Sequence, residues 1–390
     1  MSPSPTFVDL PTEVRLEIYQ YYVLYLRRIH QRRQPTNRHF RLLRVCKQMY
    51  IEAKPIVSVY VSLLHERQIR LFTQTVPDDL VSLVVYADVA NDGRLLRESD
   101  DKRSAGNIAL RRMHALKYLR VFECQQGLPI QLDSKYSRRF ILEFEDAMFP
   151  HESAPQLRSY ELYVSSNTKV TALKKVDASR MRKLRLSGSC SLARDAKTPA
   201  LHDLKLQGVT GNYFDKHDFS DLSLSPNLDT FVYALEDRIG FEIRDSHVRS
   251  LAYGPGSNLR KLVLLGCTRV TSTALADSLQ QMVSLEYFAI GIITVEEQRT
   301  NFALALPSSL SVFKLSITNA WYAVPLVEEE RTLAVTIESR LRNRNLQLGF
   351  LALHIRPAVM NGGLQERLEA LTQQTGCRLH VGPWTDYELS

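Results

Sequence analysis

Apolar residues at steps of three and four positions predict a helix near the start of the chain. The steps run from Leu10 to Tyr25 and describe one apolar stripe of an amphipathic helix over about 7–26. Pro11 suits the first turn of such a helix, because its missing N–H would have no partner there. The stripe consists of Leu10, Val14, Ile18, Tyr21, Tyr22 and Tyr25.

A second helix is predicted from about Phe40 to Lys54. Its apolar residues again recur at helical spacing, and residues 35–37 break the pattern before it. We expect it to end at Pro55, because proline cannot continue the backbone hydrogen bonds of a helix. Its stripe consists of Leu42, Val45, Met49 and Ala53.

The spacing changes after residue 79, where short L-x-x-L-x-L segments begin to recur. From Leu157 onward their starts are separated by 24, 20, 27, 31, 26, 25 and 38 residues. Most of these steps are near the leucine-rich-repeat period of about 20–29 residues. The arrangement predicts a series of short strands, whose segments are Leu80/Leu83/Val85, Leu116/Leu119/Val121, Leu157/Tyr160/Leu162, Met181/Leu184/Leu186, Leu201/Leu204/Leu206, Leu228/Phe231/Tyr233, Leu259/Leu262/Leu264, Leu285/Phe288/Ile290, Leu310/Phe313/Leu315 and Leu348/Leu351/Leu353.

Two of these segments carry a cysteine at the ninth position, where leucine-rich repeats have Asn or Cys. They end in Cys124 and Cys267, and residues 271–282 then show helical spacing before Leu285 opens the next segment. Strand, cysteine, helix and strand in that order resemble a leucine-rich-repeat domain. The resemblance implies an α/β fold, an open curved solenoid with parallel strands inside and helices outside.

The chain is therefore expected to have four parts. They are a helical domain over 7–57, a linker over 58–79, a leucine-rich-repeat-like solenoid over 80–382 and a tail over 383–390. Near the end of the solenoid, Gly376 is expected to cap the last helix, and a terminal strand should follow it.

The helical domain resembles an F-box in the divergent form common in fungal proteins. The segments that carry the resemblance are L-P-T-E-V-R-L-E-I-Y and L-L-R-V-C-K-Q-M-Y, in the order the family shows. The stretch between them is longer than usual and very basic. The positions that match the family pattern are Leu10, Pro11, Glu13, Val14, Ile18, Val45, Cys46, Lys47 and Tyr50.

This resemblance implies a function. An F-box binds the Skp-type adaptor, and through it the cullin, of an SCF-type ubiquitin ligase, and the repeats would hold a protein substrate. The chain itself would catalyse nothing and would need no cofactor. Its apolar contact residues should stay partly exposed in the free protein. The residues expected to contact the adaptor are Leu10, Pro11, Glu13, Val14, Ile18, Val45, Cys46 and Tyr50.

Strand alternation predicts where the substrate would lie. The second and third apolar residues of each segment should point into the core, so their immediate neighbours should lie on the concave face. Aromatic and basic side chains on the early and middle strands would then form a surface for a partly acidic substrate. These residues are Tyr118, Arg120, Phe122, Tyr163, Arg185 and Lys205. The later strands are more apolar, which also suits a surface covered by Trp384 and Tyr387 of the tail.

Composition and motifs narrow the class of protein. The 390 residues are 44% hydrophobic and 24% charged, which is typical of globular proteins. The five cysteines are far apart and form no C-x-x-C pair, which favours a reducing compartment, cytoplasmic or nuclear. Among them, Cys46 is interpreted as a buried helix cysteine rather than an activated thiol. No apolar run has membrane-spanning length, and no metalloprotease, esterase, P-loop or dinucleotide-binding motif occurs.

Charge is concentrated in one segment. Residues 27–47 contain eight Lys or Arg and no acidic residue, and without them 42 positive charges face 42 negative ones. Such a patch favours an acidic protein partner, nucleic-acid phosphate or a nuclear import receptor around Arg27–Arg33, unless it is a solvated helix face and loop. Two alternatives to the ligase therefore stay open. One is a repeat-based interaction scaffold, and the other is a nucleic-acid or nuclear scaffold protein that uses this segment.

Overall fold

Parallel strands joined by helices and loops make up most of the chain, which has an α/β fold in the computed structural model. The structure describes residues 6–27, 35–91, 106–123, 141–142, 145, 148–149, 155–164, 166, 168–222, 224–236, 240–294, 299–361 and 363–386. These residues form an N-terminal unit, up to 164 together with 169–177, and a C-terminal unit, 166, 168 and 178–386.

The N-terminal unit begins with helices. A 3-10 turn over Phe7–Asp9 leads into α1 (Thr12–Arg27), and a 3-10 helix over Arg38–Arg44 precedes α2 (Lys47–Val57). The second helix is thus broken and longer than predicted. It restarts after Cys46, whose backbone is extended. It then continues past its expected end to Val57, with Pro55 inside its last turn.

Among the described residues, the segment 58–79 that the sequence predicts as a linker contains one strand, and further helices and strands follow it. The elements of this part are β1 (Tyr60–Leu63), α3 (Glu66–Thr75), α4 (Asp78–Val81), β2 (Tyr86–Asn91), α5 (Gly106–Arg112), β3 (Tyr118–Glu123), β4 (Ile141–Leu142), β5 (Ser159–Tyr163) and β6 (Lys169–Ala172). Strands β1, β2, β3 and β5 pair in that order and are parallel, and β4 pairs with β6. The predicted loop over 91–107 lies largely outside the described residues, as does Cys124.

The first repeat segment lies four residues later than predicted. Leu83 is exposed, whereas Ala87 and Val89 of β2 are buried and pair with Leu119 and Val121 of β3. Two overlapping apolar triplets fit the L-x-x-L-x-L spacing here, Leu80/Leu83/Val85 and Val84/Ala87/Val89. The triplet with more leucines is the wrong one. Pairing with the neighbouring strand decides between them.

The C-terminal unit is a run of parallel strands with helical crossovers. Its strands are β7 (Lys183–Leu192), β8 (Asp203–Val209), β9 (Thr230–Ala234), β10 (Lys261–Cys267), β11 (Tyr287–Thr294), β12 (Val312–Asn319), β13 (Phe350–His354) and β14 (Arg378–Val381), each paired with the next. Its helices are α6 (Asp245–Ala252), α7 (Ser272–Gln281), a 3-10 turn (Phe302–Ala305), α8 (Val327–Arg342), α9 (Pro357–Met360) and α10 (Leu364–Thr375).

The predicted strand register is confirmed in this unit. The fourth residue of each segment lies beside its counterpart on the next strand, so that Leu204, Phe231 and Leu262 form one continuous buried row. We call the side that carries this row the core face and the opposite side the second face. The cap at the end of α10 is also confirmed, because Gly376 adopts the left-handed conformation that glycine accepts without strain.

Candidate functional site

The two sides of helix α1 differ in what they contact. Arg15, Tyr19 and Val23 are buried, and the two apolar residues belong to a cluster with Met49, Ala53 and Val57 of α2. Most of the apolar stripe that defines the helix in the sequence faces solvent instead, although Tyr22 is partly buried. The side of α1 that holds the fold together is thus not the one the periodicity singles out.

The residues expected to contact an adaptor are all exposed. Val45 is 63% exposed, and Leu10, Val14, Ile18 and Tyr50 are between 37% and 43% exposed. Pro11, Glu13 and Cys46 are exposed as well. The expected partial exposure of this surface is therefore confirmed, while its binding role stays a prediction. We call these eight residues the helix surface.

Arg15 holds the segments that carry the helix surface together. Its Nε and Nη2 donate to the Glu52 carboxylate at 2.9 and 2.6 Å, and its Nη1 donates to the backbone oxygens of Val8 and Leu10. Hydrogen bonds from Arg15 lower the pKa of Glu52 to about 2, so the carboxylate is charged at neutral pH. The start of the chain, α1 and α2 are thereby tied to one another.

Cys46 is not the buried helix cysteine that the sequence predicts. It is exposed and has extended backbone, and its Sγ accepts a hydrogen bond from the Met49 amide at 3.5 Å. That is the role of a helix N-cap. By contrast, Cys190 and Cys267 are buried, and burial raises the pKa of the Cys190 thiol to about 12, so neither is a reactive thiolate.

Only part of the basic segment is a free surface. The Arg27 guanidinium lies 3.9 Å from the centre of the Tyr86 ring and 5.4 Å from that of Tyr60. Burial, and then the neighbouring Arg120, lower the pKa of Arg27. Later in the segment, four basic side chains are exposed, namely Arg38, Arg41, Arg44 and Lys47. Residues 28–34 lie outside the described residues.

In the N-terminal unit we call the side of the strands opposite to Leu119 and Val121 its second face, and this side carries side chains in rows across the strands. The first row is aromatic, and Tyr86 stacks on Tyr118 with ring centres 4.4 Å apart. The next row is charged, and Arg120 forms two hydrogen bonds of 2.6 Å with the carboxylate of Asp88. Its third nitrogen, Nη1, donates to the backbone oxygen of Arg27 at 2.7 Å, so the end of α1 covers this row.

The predicted substrate residues lie on the second face, but most of them are not open to a partner. Arg120, Phe122, Arg185 and Lys205 are 6–8% exposed, and Tyr118 and Tyr163 are partly buried. Phe122 stacks on Tyr163 at 4.8 Å rather than standing free. The expectation of an open row of basic and aromatic residues is therefore wrong, although the register behind it is right.

The tail covers part of the second face of the C-terminal unit, an arrangement that the apolar later strands suit. Trp384 packs against a buried cluster of Val232, Val263 and Ala289, and Asp386 is buried as well. Tyr387, the other tail residue expected there, lies outside the described residues.

In the part of the chain that the structure describes, no three His, Cys, Asp or Glu side chains are close enough to hold a metal ion. No helix among those residues is both long and apolar enough to cross a membrane.

Comparisons with known proteins add little. No protein-family model matches the chain, and no curated protein matches it. A structural genomics crystal structure of a Bacteroides fragilis protein aligns with 80% of this chain and 68% of its own, at 11% sequence identity and a TM-score of 0.37. So distant a likeness carries no argument about function.

Proposed function

We propose that the chain is the substrate-recognition subunit of an SCF-type cullin-RING ubiquitin ligase. Residues 7–57 would act as the F-box, bind the Skp-type adaptor and reach the cullin through it. The observation that carries the proposal is the helix surface, an apolar surface exposed on helices whose other side is already packed. Apolar side chains that a fold leaves together in solvent mark a partner site.

The way the helices are held supports the proposal. Arg15 ties the loop before α1 to α2 through Glu52, so the helix surface exists before a partner arrives. A surface that needs no ordering on binding loses less conformational entropy, which favours affinity.

The sheet would hold the protein substrate. For this part we propose an open, curved leucine-rich-repeat solenoid with strands inside and helices outside. Support comes from the eight consecutive parallel strands of the C-terminal unit and from helices such as α7 between them. The chain would act by raising the effective concentration of a substrate lysine near the charged conjugating enzyme.

Binding to the purified adaptor tests the function directly. We expect the full-length chain to copurify with a recombinant Skp-type adaptor and the V14E/I18E variant to bind at least about 100-fold more weakly, because two carboxylates would be desolvated in an apolar interface. L10A/P11A should also abolish binding. Since these side chains are already about 40% exposed, the variants should keep the wild-type melting temperature.

A matched variant separates the helix surface from a general effect of charge. Leu71 on α3 is 48% exposed and lies outside the helix surface, so L71E should bind the adaptor like wild type. A folded wild-type chain that never binds the adaptor would remove the ligase role and leave the two scaffold alternatives, the repeat-based one and the nucleic-acid or nuclear one.

A further inference from the structure

We propose that the second face of strands β9–β13 is a binding site for an extended acidic segment of a partner protein. The segment would have an aromatic residue two positions before an acidic one, and the chain's own tail, Trp384–Asp386, occupies the site in the free protein. The inference rests on the proposed role of the sheet in holding a substrate, and it names the chemistry of that substrate.

A turn after β14 reverses the direction of the chain and brings the tail onto the sheet. Gly382 has φ +122°, a conformation that other residues rarely adopt, and its amide donates to the Leu353 oxygen at 2.9 Å. His380 Nε2 donates to the Pro383 oxygen at 2.9 Å and closes the turn. The chain thus leaves β14 at its end and returns across its neighbours.

Trp384 sits in a site that suits an aromatic ring. Its indole Nε1 donates to the Leu315 oxygen of β12 at 3.1 Å. The ring packs against small buried side chains on three strands, namely Val232, Val263 and Ala289. A large ring on a floor of small apolar side chains, with a hydrogen-bond acceptor at its edge, is typical of a binding anchor.

A lysine stands among the rings of this site. The Lys314 ammonium is 5.6 Å from the centre of the Trp384 ring, 5.3 Å from that of Tyr287 and 5.9 Å from that of Phe350. Lys261 lies 4.4 Å from the Tyr287 ring centre. The site therefore combines positive charge with aromatic faces and favours a ligand that is both aromatic and acidic.

Asp386 satisfies the acidic half of this chemistry. Its carboxylate is buried at 6% exposure and accepts a hydrogen bond from the Tyr287 hydroxyl at 3.0 Å. Thr385 between the two anchors is exposed. Alternate residues of an extended chain point the same way, so an aromatic-x-acid sequence presents both anchors to the sheet.

The tail competes with a partner segment for the site because it belongs to the same chain. Being tethered, it competes at an effective concentration on the order of millimolar. A partner segment with the same two anchors and further contacts would displace it, whereas a short peptide in solution would not.

Peptide binding to full-length variants tests the proposal. The probe is a fluorescein-labelled peptide with the sequence of residues 380–386 and blocked ends, measured by fluorescence anisotropy. We expect the W384A/D386A variant to bind it at least 10-fold more tightly than wild type, because the tethered competitor is gone. Adding K314E to that variant should weaken binding at least 10-fold, and a probe with alanine in place of its tryptophan should fail.

Controls keep the outcome decisive. T385A changes an exposed tail residue and should behave like wild type. If W384A/D386A is unfolded by circular dichroism, the single variant D386A takes its place. No binding by a folded variant, equal binding by wild type, or binding indifferent to K314E would each overturn the proposal. The adaptor is absent from this assay, so its result is independent of the ligase test.

Discussion

His39 shows, at the scale of one residue, how packing decides a charge. The imidazole is fully buried between the rings of Phe40 and Tyr60, and its Nε2 donates to the Tyr60 oxygen at 3.0 Å. Burial lowers the pKa of His39 to about 4. A histidine in the basic segment 27–47 is thus neutral inside the N-terminal unit.

The sign of the resulting pH dependence follows from that pKa. The unfolded chain takes up the proton near pH 6.5 and the folded chain only near pH 4, so stability is full above pH 6.5 and falls between these values. We expect His39 to account for a loss of roughly 2–3 kcal/mol on going from pH 7 to pH 4.5. Urea unfolding at both pH values should show that H39Q loses correspondingly less stability. Equal losses in both proteins would contradict this assignment.

Helix α2 shows, at the scale of an element, how one position sets a boundary. The periodicity runs continuously from Phe40 onward, but Cys46 is extended and caps a new helix through the Met49 amide. The break also turns Val45 outward, where it is 63% exposed on the helix surface. Capping therefore shapes both the helix and the surface that we propose for the adaptor.

Cap strength at this position is measurable. Serine is a better N-cap than cysteine and alanine is a poor one, so C46S should be more stable than C46A by about 1 kcal/mol, with wild type between them. Because the side chain is exposed, packing should not contribute to the difference. Chemical denaturation of the three proteins measures it. Equal stability of C46S and C46A would mean that the Sγ hydrogen bond does not act as a cap.

At the scale of the whole molecule, the second face is covered in each of the two units. In the N-terminal unit the end of α1 covers Asp88 and Arg120, and in the C-terminal unit Trp384 covers the floor of small residues. Changing Arg120, Arg185 and Lys205 to Glu, which an open face would tolerate, is now expected to lower the melting temperature strongly. Buried positive side chains cannot be reversed in charge without leaving charges unpaired.

The pair of Arg120 and Asp88 allows a controlled test of this burial. Burial alone disfavours the charged form of Arg120. The carboxylate of Asp88 favours that form by more, so the pKa of Arg120 is raised. R120M leaves the fully buried Asp88 carboxylate without its cation and should cost about 3–5 kcal/mol.

The double variant D88N/R120M is the control for that cost. It removes both charges while the Tyr60 hydroxyl, 2.6 Å from Asp88 Oδ2, still has an oxygen to donate to. We expect it to be more stable than R120M alone in denaturant titrations. If the second change instead adds a further loss, the ion pair does not anchor this face.

Much of the fold was predictable because strand and helix periods are local. From Leu116 onward every predicted segment lies on or leads into a strand, and the alternation inside each strand puts Leu184 and Leu204 in the core. The first segment was misplaced, since two triplets fit locally and only pairing with β3 selects Ala87 and Val89. Strand β1 was missed in the linker because the tyrosine and serine on either side of Val61 obscure its alternation.

From Leu116 onward the sequence by itself determined the repeating strands and their register, and near its start it determined the exposed residues of the helix surface, because each depends on the order of neighbouring residues. Only the tertiary structure decided which faces are covered. The charged residues Arg120, Arg185 and Lys205 indicate, from the sequence, that the second face is open to solvent. In the structure all three are buried. Arg120 is buried by the end of α1, which lies 93 positions away in sequence. Burial depends on such distant packing, which no local pattern records.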